Sequence, residues 1–361
     1  MLADTKPTPR GHRLIPRIDI SALFGSDPEE RARTDQALYE AACRVGFMSI
    51  HGIPFREELG EESRRSILRL FKIPQAEQRR LWKSNFAPEN PNLYRGWFPL
   101  ESGATRCREG FEIGPDISRP FEPCPDPEDL LYQPSVFPQE DQLPGWRHQA
   151  AAYYRASEKV GFAILGALAR QLGVRESLFE DIFRDGISTL RLLRYPAQDP
   201  HRPDSPELQA AACIHDGRPF EIVTGAHYDT GLLTLLSACG SPGLQAYTEE
   251  REWVDVELQD EDFAVNFGGL LSRWTQKRIR ATLHRVLSSG DERFSIPFFF
   301  EPRPDSLIEP LPLPDAEPFE PFLFGDHLWH TTTRFPENLG LAHLRPPRGE
   351  YRDPWQDDGQ G

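Results

Sequence analysis

The chain has 361 residues, 38% of them hydrophobic, with 23 Phe and seven Trp, and a formal net charge of −15. That apolar content supports a sizeable core, while the acidic balance argues against a nucleic-acid or anionic-membrane surface, since phosphates and lipid headgroups are themselves negative. The five cysteines are odd in number and widely spaced with no C-x-x-C, which points to reduced thiols in a cytoplasmic protein rather than to a disulfide framework or zinc knuckle.

Residues 1–13 lack the apolar core of a secretory signal and read as a disordered lead, and no apolar run reaches transmembrane length. Ile15 to Ile20 alternates as a short strand. Asp27-Pro28-Glu29-Glu30 is a helix start, an acidic cap before a first-position Pro, and Leu38, Ala41, Ala42 and Val45 then share one face. Phe47 to Ile50 forms a strand, and His51 to Pro54 turns the chain. Helices are expected over Glu57–Phe71 and Gln75–Lys83, separated by Pro74. Pro88 to Asp116, with Tyr94, Arg95, Trp97, Phe98 and Phe111, reads as irregular, and Pro120 to Pro144 as a Pro- and acid-rich loop. Gly145 to Leu172 is a long helix that turns Trp146, Tyr153, Val160, Ile164, Leu168 and Leu172 toward the core, and Gly173 stops it.

From Ser188 the period changes to that of strands: Leu190–Pro196, Gly231–Ser237, Leu244–Tyr247, Trp253–Val256, Ala264–Phe267, Thr282–Leu287 and Arg293–Phe300. Ser241-Pro242-Gly243, Gly268-Gly269 and Ser289-Gly290-Asp291 are the turns between them. Many short strands with regular turns predict a sandwich or barrel. Gln198 to Pro219 is a polar insertion leading to the rim of that barrel, and it reads equally as part of a substrate lid or as an inert surface loop. Its adjacent His215 and Asp216 would face opposite sides of a strand, a poor metal pair. Pro302 to Pro321 reads as a linker, Gly325 to Arg334 as a C-terminal helix with surface histidines at 327 and 330, and Pro346 to Gly361 as a disordered tail.

The chemistry concentrates in Gly225-Ala226-His227-Tyr228-Asp229-Thr230-Gly231. In β-structure His227 and Asp229 share a face and Tyr228 takes the other, so one imidazole and one carboxylate can hold one metal ion. His284, on a later strand, supplies a second imidazole. Two His and one carboxylate leave open positions, which is the facial triad of non-haem Fe(II) oxygenases. Zinc accepts the same ligands, so a zinc hydrolase or a non-catalytic jelly roll stays open, although no further Glu or His stands at helical spacing as a general base. After His284, Arg293 and Ser295 again share a face, and a guanidinium beside a hydroxyl clamps a carboxylate.

The stretches GAHYDTGLLTLL, GLQ, NFGGLLSRWTQKRIRATLHRV and RFSIPFFFEP, with IPRIDIS and GFMSIHGIP nearer the start, resemble the 2-oxoglutarate-dependent Fe(II) oxygenase superfamily in its isopenicillin-N-synthase-like branch, from Ile15 to Phe335. The resemblance implies a mainly β fold with flanking α-helices around a double-stranded β-helix, a jelly-roll relative. It implies one oxygenase domain over residues 14–345: a mostly helical part (14–187), the core with the metal site (188–301), and a linker with a C-terminal helix (302–345). It assigns His227, Asp229 and His284 to the metal, Arg293 and Ser295 to the distal carboxylate of 2-oxoglutarate, and Tyr195 to a third hydrogen bond there, although Leu193 stands where many relatives carry Asn. His51 is assigned to structure. The implied cofactors are Fe(II), 2-oxoglutarate and O2, with ascorbate as an optional reductant. The implied reaction oxidises a C–H bond of a small molecule of secondary metabolism, by hydroxylation, desaturation or cyclisation, releasing succinate and CO2. The competing reading within the branch is an Fe(II)/O2 oxidase that uses no 2-oxoglutarate. Neither nucleic acid, membrane nor an obligate protein partner is expected.

Overall fold

The larger of the two main β-sheets carries helices on its outer face, and the smaller closes over its inner face. A computed structural model of the chain describes residues 15–100, 108–121, 124–198, 212–288, 290–314 and 316–352. The strands are β1 (Arg17–Asp19), β2 (Phe47–His51), β3 (Trp97–Phe98), β4 (Glu109–Ile113), β5 (Thr189–Tyr195), β6 (Ala212–His215), β7 (Arg218–His227), β8 (Leu233–Gly240), β9 (Leu244–Tyr247), β10 (Trp253–Asp255), β11 (Phe263–Phe267), β12 (His284–Ser288), β13 (Arg293–Phe300), β14 (Leu307–Ile308) and β15 (Phe322–Leu323). The larger sheet runs β1-β2-β11-β8-β13-β5-β4-β3 and the smaller β10-β9-β12-β7-β6. All their pairings are antiparallel except β1 with β2. From β7 to β13 the chain crosses repeatedly between the sheets, with β7, the β9–β10 hairpin and β12 in the smaller and β8, β11 and β13 in the larger, as in a double-stranded β-helix.

The helices are α1 (Pro28–Arg44), α2 (Arg56–Leu59), α3 (Glu61–Leu68), α4 (Gln75–Arg80), α5 (Trp146–Leu172), α6 (Glu176–Phe183), α7 (Gly269–Trp274) and α8 (Phe324–Thr332). Asp27 caps α1 by accepting from the amides of Glu29 and Glu30. The helix expected over Glu57–Phe71 is broken because Gly60, extended at ψ 178, ends α2 and begins α3. α5 lies along the larger sheet with all six expected core residues buried, and Gly173 ends it in the left-handed region at φ +72. Tyr153 shares a hydrogen bond of 2.8 Å with Ser237, and Tyr154 donates to the Ser188 carbonyl at 2.7 Å, so the helix is fixed to the sheet by polar contacts as well as by its apolar face. The main hydrophobic core lies here, between helices and sheet; a smaller cluster, including Phe47, Leu193, Val223, Leu244 and Val286, lies between the sheets.

Several expectations are corrected. Residues 88–116 are not wholly irregular: β4 pairs along β5, from Glu109 opposite Arg194 to Ile113 opposite Leu190. Its inward Glu112 is matched by Lys83 and Arg191, so a strand that looks too polar for an interior is balanced from elsewhere. Of the insertion, residues 199–211 lie outside the described residues. The remainder is a β6–β7 hairpin at the edge of the smaller sheet, turned by Asp216 and Gly217 at φ 47 and 74, a two-residue turn that suits Asp-Gly. Gly268-Gly269 opens α7 instead of a turn. The Pro302–Pro321 linker buries Ile308, Leu311 and Leu313 against the core. His327 is buried, not on the surface, with Nδ1 3.0 Å from the Tyr351 hydroxyl. That tyrosine also packs on Phe322 and His330, so the tail is ordered through this point. Residues 1–13 and 353–361, read as disordered, lie outside the described residues. No described helix is long and apolar enough to cross a membrane.

Candidate active site

β7 ends at His227, and the chain leaves the sheet as a loop before β8. Asp229 is therefore not on the strand, as simple alternation supposed, and a different device aims it. The first amides of α7 hold the loop by its carbonyls: Gly269 donates to Asp229 at 2.7 Å and Leu270 to Thr230 at 3.2 Å, while Gly268 donates to Leu232 at 3.0 Å. Gly268 is pressed so close that a Cβ there would sit 2.2 Å from the Gly231 carbonyl oxygen. Gly268→Ala is expected to displace the Asp229 loop, costing about 1–3 kcal/mol of stability and weakening metal binding. Thermal unfolding and metal titration check both, and unchanged metal affinity would show that the loop's position is set elsewhere.

His227 and His284 stand directly opposite one another on β7 and β12. Their ring centroids are 4.2 Å apart, and their Nε2 atoms lie 3.8 Å and 3.7 Å from Asp229 Oδ1. Each ring donates its Nδ1 proton to a backbone carbonyl, His227 to Gly225 at 2.8 Å and His284 to Thr282 at 3.0 Å, which leaves each Nε2 lone pair free. Asp229 Oδ2 accepts from Thr234 at 2.6 Å and from Asn266 at 2.7 Å, so Oδ1 is the oxygen that remains. Burial, then the neighbouring His284, pushes His227 down to about 4, so it is neutral at pH 7. Burial pulls Asp229 upward, but the two imidazoles and its hydrogen bonds more than offset this and hold it below the usual carboxylate range. Two imidazole nitrogens and one carboxylate oxygen thus converge, oriented from behind, as the donor set of a facial triad. Tyr228 points to solvent.

A second group, His215, Asp216 and Asp255, also has ligand atoms within 4.8 Å of one another. His215 and Asp216 were expected to diverge; they do not, because Asp216 lies in the turn beyond the strand. His215 Nε2 is already engaged by Asp255 at 3.0 Å and by Gln245 at 3.0 Å.

Arg293 opens β13, opposite Tyr195 on β5 and Gly240 on β8. It is buried. Its Nε donates to the Ser241 carbonyl at 3.2 Å, its Nη1 has no partner, and its guanidinium lies 4.8 Å from the Tyr195 ring centroid. No carboxylate pairs with it among the described residues. Burial lowers its affinity for its own proton. Ser295 follows on the same face, also buried. The Tyr195 hydroxyl is 3.2 Å from that of Thr224; burial raises its pKa, but Arg108 and Arg293 together bring it below the ordinary tyrosine value, which makes it a strong donor.

Comparison with known proteins follows this geometry. The model of the 2OG-Fe(II) oxygenase superfamily matches residues 188–302, and that of the non-haem dioxygenase in morphine synthesis N-terminal region matches residues 15–140. A 2-oxoglutarate-Fe(II) type oxidoreductase of Aspergillus fumigatus is 31% identical over 84% of this chain and 86% of its own. The chain belongs to the 2-oxoglutarate-Fe(II) oxygenase superfamily. Isopenicillin N synthase of Streptomyces jumonjinensis, 28% identical over 82% of this chain and 87% of its own, places it near that branch. A Neurospora crassa protein crystallised with alpha-KG and 5-formyluracil superposes with a TM-score of 0.69 at 26% identity, covering 89% of this chain and 95% of that one. The protein is thus an oxidoreductase of the non-haem iron dioxygenase class, and its family works with Fe(II), 2-oxoglutarate and O2.

In this oxygenase one cavity of about 460 Å³ runs between the sheets, and the His227–Asp229–His284 group lines it. Strand alternation makes its two long walls. Arg293, Ser295, Pro297, Phe299 and then Glu301 face in along β13, and Tyr195, Leu193, Arg191 and Thr189 along β5. Of the aromatic stretch between Pro88 and Asp116, Tyr94, Arg95 and Phe98 line the cavity, whereas Trp97 and Phe111 belong to the core on the other face. The far end carries buried charge that the motifs did not indicate. Arg108 donates to Glu337 at 3.0 Å and to Thr224 at 2.6 Å; Arg191 donates to Glu112 at 2.6 Å. Glu337 is held down to about 2, because Arg191 and Arg108 outweigh the effect of burial.

Proposed function

We propose that this chain is an Fe(II)- and 2-oxoglutarate-dependent oxygenase that oxidises a C–H bond of a small organic molecule and releases succinate and CO2. His227, Asp229 and His284 would hold the iron, through two Nε2 atoms and Asp229 Oδ1. Arg293, Ser295 and Tyr195 would hold the distal carboxylate of 2-oxoglutarate. Iron with 2-oxoglutarate and O2 supplies the oxidising chemistry when bound; the chain's own residues orient the reactants and keep water away.

The observation that carries this reading is Arg293, a buried guanidinium with an unpartnered Nη1 and no carboxylate paired to it among the described residues. An unpaired buried cation is costly, so the fold is made for an anion from outside. Tyr195 and Ser295 beside it offer hydroxyl donors to the same anion, and the preset histidine tautomers fit a metal. The isopenicillin N synthase relative favours a second reading, in which iron and O2 act without 2-oxoglutarate and Arg293 serves another anion.

Anaerobic addition of Fe(II) and then 2-oxoglutarate should give a visible metal-to-ligand charge-transfer band and, with air, succinate. Turnover without succinate would select the second reading. His284→Ala should lose most of its iron, because two protein ligands rarely hold Fe(II) against water and chelators; one iron per chain retained in that variant would sink the ligand assignment.

A further inference from the structure

Glu301 is the inward-facing residue after Phe299 on the line of β13, so one strand edge carries Arg293 at one end of the cavity and Glu301 at the other. Its side chain is buried, with Oε1 over Gly231 of the Asp229 loop. The other carboxylates on this wall are matched: Glu112 by Lys83 at 3.2 Å and Arg191 at 2.6 Å, and Glu337 by Arg108 at 3.0 Å. Glu301 has no ion-pair partner among the described residues, and its Oε2 has no hydrogen-bond partner. The groups that face it are Arg95, Arg191, Glu112 and Thr189. Arg95 is turned to other work, donating to the Leu131 and Ile187 carbonyls at 3.2 Å and 2.8 Å with its guanidinium flat on Gly114.

A buried carboxyl with no cation of its own is most stable as the neutral acid. Burial pushes Glu301 up to about 8, which keeps it protonated at neutral pH. A protonated carboxyl has an O–H to donate. The surrounding charge favours the same direction of bonding. The cations that face Glu301, Arg95 and Arg191, favour the ionised carboxyl but are outweighed by burial, and they repel a cationic group and attract an electron-rich oxygen. Tyr94, Phe98, Phe299 and Leu328 supply apolar and aromatic wall to the same cavity.

We propose that Glu301 is a specificity-determining residue that donates a hydrogen bond to a carbonyl or carboxylate oxygen of the organic substrate, and that the substrate joins such an oxygen to an apolar or aromatic body. This rests on the reading that Arg293 marks the cosubstrate end of the cavity. The test uses three probes with the same ring, benzoate, benzamide and benzylamine, titrated calorimetrically into the full chain. Native protein, E301Q and E301L are compared, each with and without anaerobic Fe(II) and 2-oxoglutarate. Benzoate and benzamide should bind native protein and E301Q within about twofold of each other, since the Gln amide replaces the O–H donor, and E301L about tenfold or more weakly, the loss of one hydrogen bond in a dry site. Benzylamine should bind worst. Equal binding by E301L, benzylamine as the best ligand with affinity lost in E301Q, or no binding of any probe to native protein at millimolar concentration would each overturn the proposal. If E301L does not fold, the ranking in native protein and E301Q decides. The charge-transfer band in the same samples reads the cosubstrate site separately: its absence would sink the oxygenase reading, while the titrations without iron still decide the role of Glu301.

Discussion

Arg293→Leu should weaken 2-oxoglutarate binding by roughly 2–5 kcal/mol, about thirtyfold to several thousandfold, and leave Fe(II) binding intact. The proposed metal ligands stand on β7, its following loop and β12, whereas Arg293 opens β13, so the two proposed functions fall on different strands. The variant should also be at least as stable as the native chain when no cosubstrate is present. The guanidinium is buried with an unpartnered Nη1, and its hydrogen bond to the Ser241 carbonyl is long, at 3.2 Å. Replacing an uncompensated buried charge by an apolar group of similar length removes a desolvation cost. Affinity and stability therefore move in opposite directions, the pattern of a residue kept for function at the expense of the fold. Isothermal titration of 2-oxoglutarate and thermal unfolding without ligand give the two numbers. Lower stability with unchanged 2-oxoglutarate affinity would make Arg293 a structural residue.

The strands that carry His227, His284 and Arg293 were legible because their signals are local, and β13 shows its inward face in the alternation of Arg293, Ser295, Pro297 and Phe299. α5 was legible for the same reason, with one apolar face and a terminating Gly173. What aims Asp229 was not legible. The loop is held by amides of α7, a short helix whose Gly-Gly start looks like a turn, and Gly268 is required there by the backbone of Gly231, a contact no local pattern reports.

The charged end of the cavity was hidden for a related reason. Glu112 on β4 looks misplaced in a strand until Lys83 and Arg191 are brought to it. Arg108 and Glu337 are 229 positions apart, so neither residue carries a sign of the other. The Asp-Gly turn of the β6–β7 hairpin, by contrast, was readable from its residues and was passed over because the polar stretch before it looked like a single insertion.

Glu337→Gln should destabilise the protein by about 3 kcal/mol at pH 7, the lower part of the range for breaking a buried ion pair, because Arg191 keeps Glu112 and only Arg108 is left short of a partner. Glu337 is buried, bonded to Arg108 at 3.0 Å and 3.7 Å from Arg191, and its backbone carbonyl accepts from Asn85 at 3.2 Å. The next residue, Asn338, accepts from the fully buried Lys83 at 2.5 Å. These contacts fasten α8 and the segment after it, whose Leu328, Thr332, Phe335 and Pro336 line the cavity, so the substitution should also loosen that wall and speed amide exchange over residues 324–345. The pH dependence has a definite sign. Glu337 is depressed to about 2 in the folded protein, so its contribution is complete above the ordinary glutamate value near 4.5 and is lost as pH falls through 2. The stability gap between native protein and E337Q should therefore be constant from pH 7 down to about 5 and shrink toward pH 2. Denaturant unfolding at several pH values measures it. A gap that stays constant into acid would mean that the carboxylate charge contributes nothing, and that the segment is held by its apolar packing and by Asn338 alone.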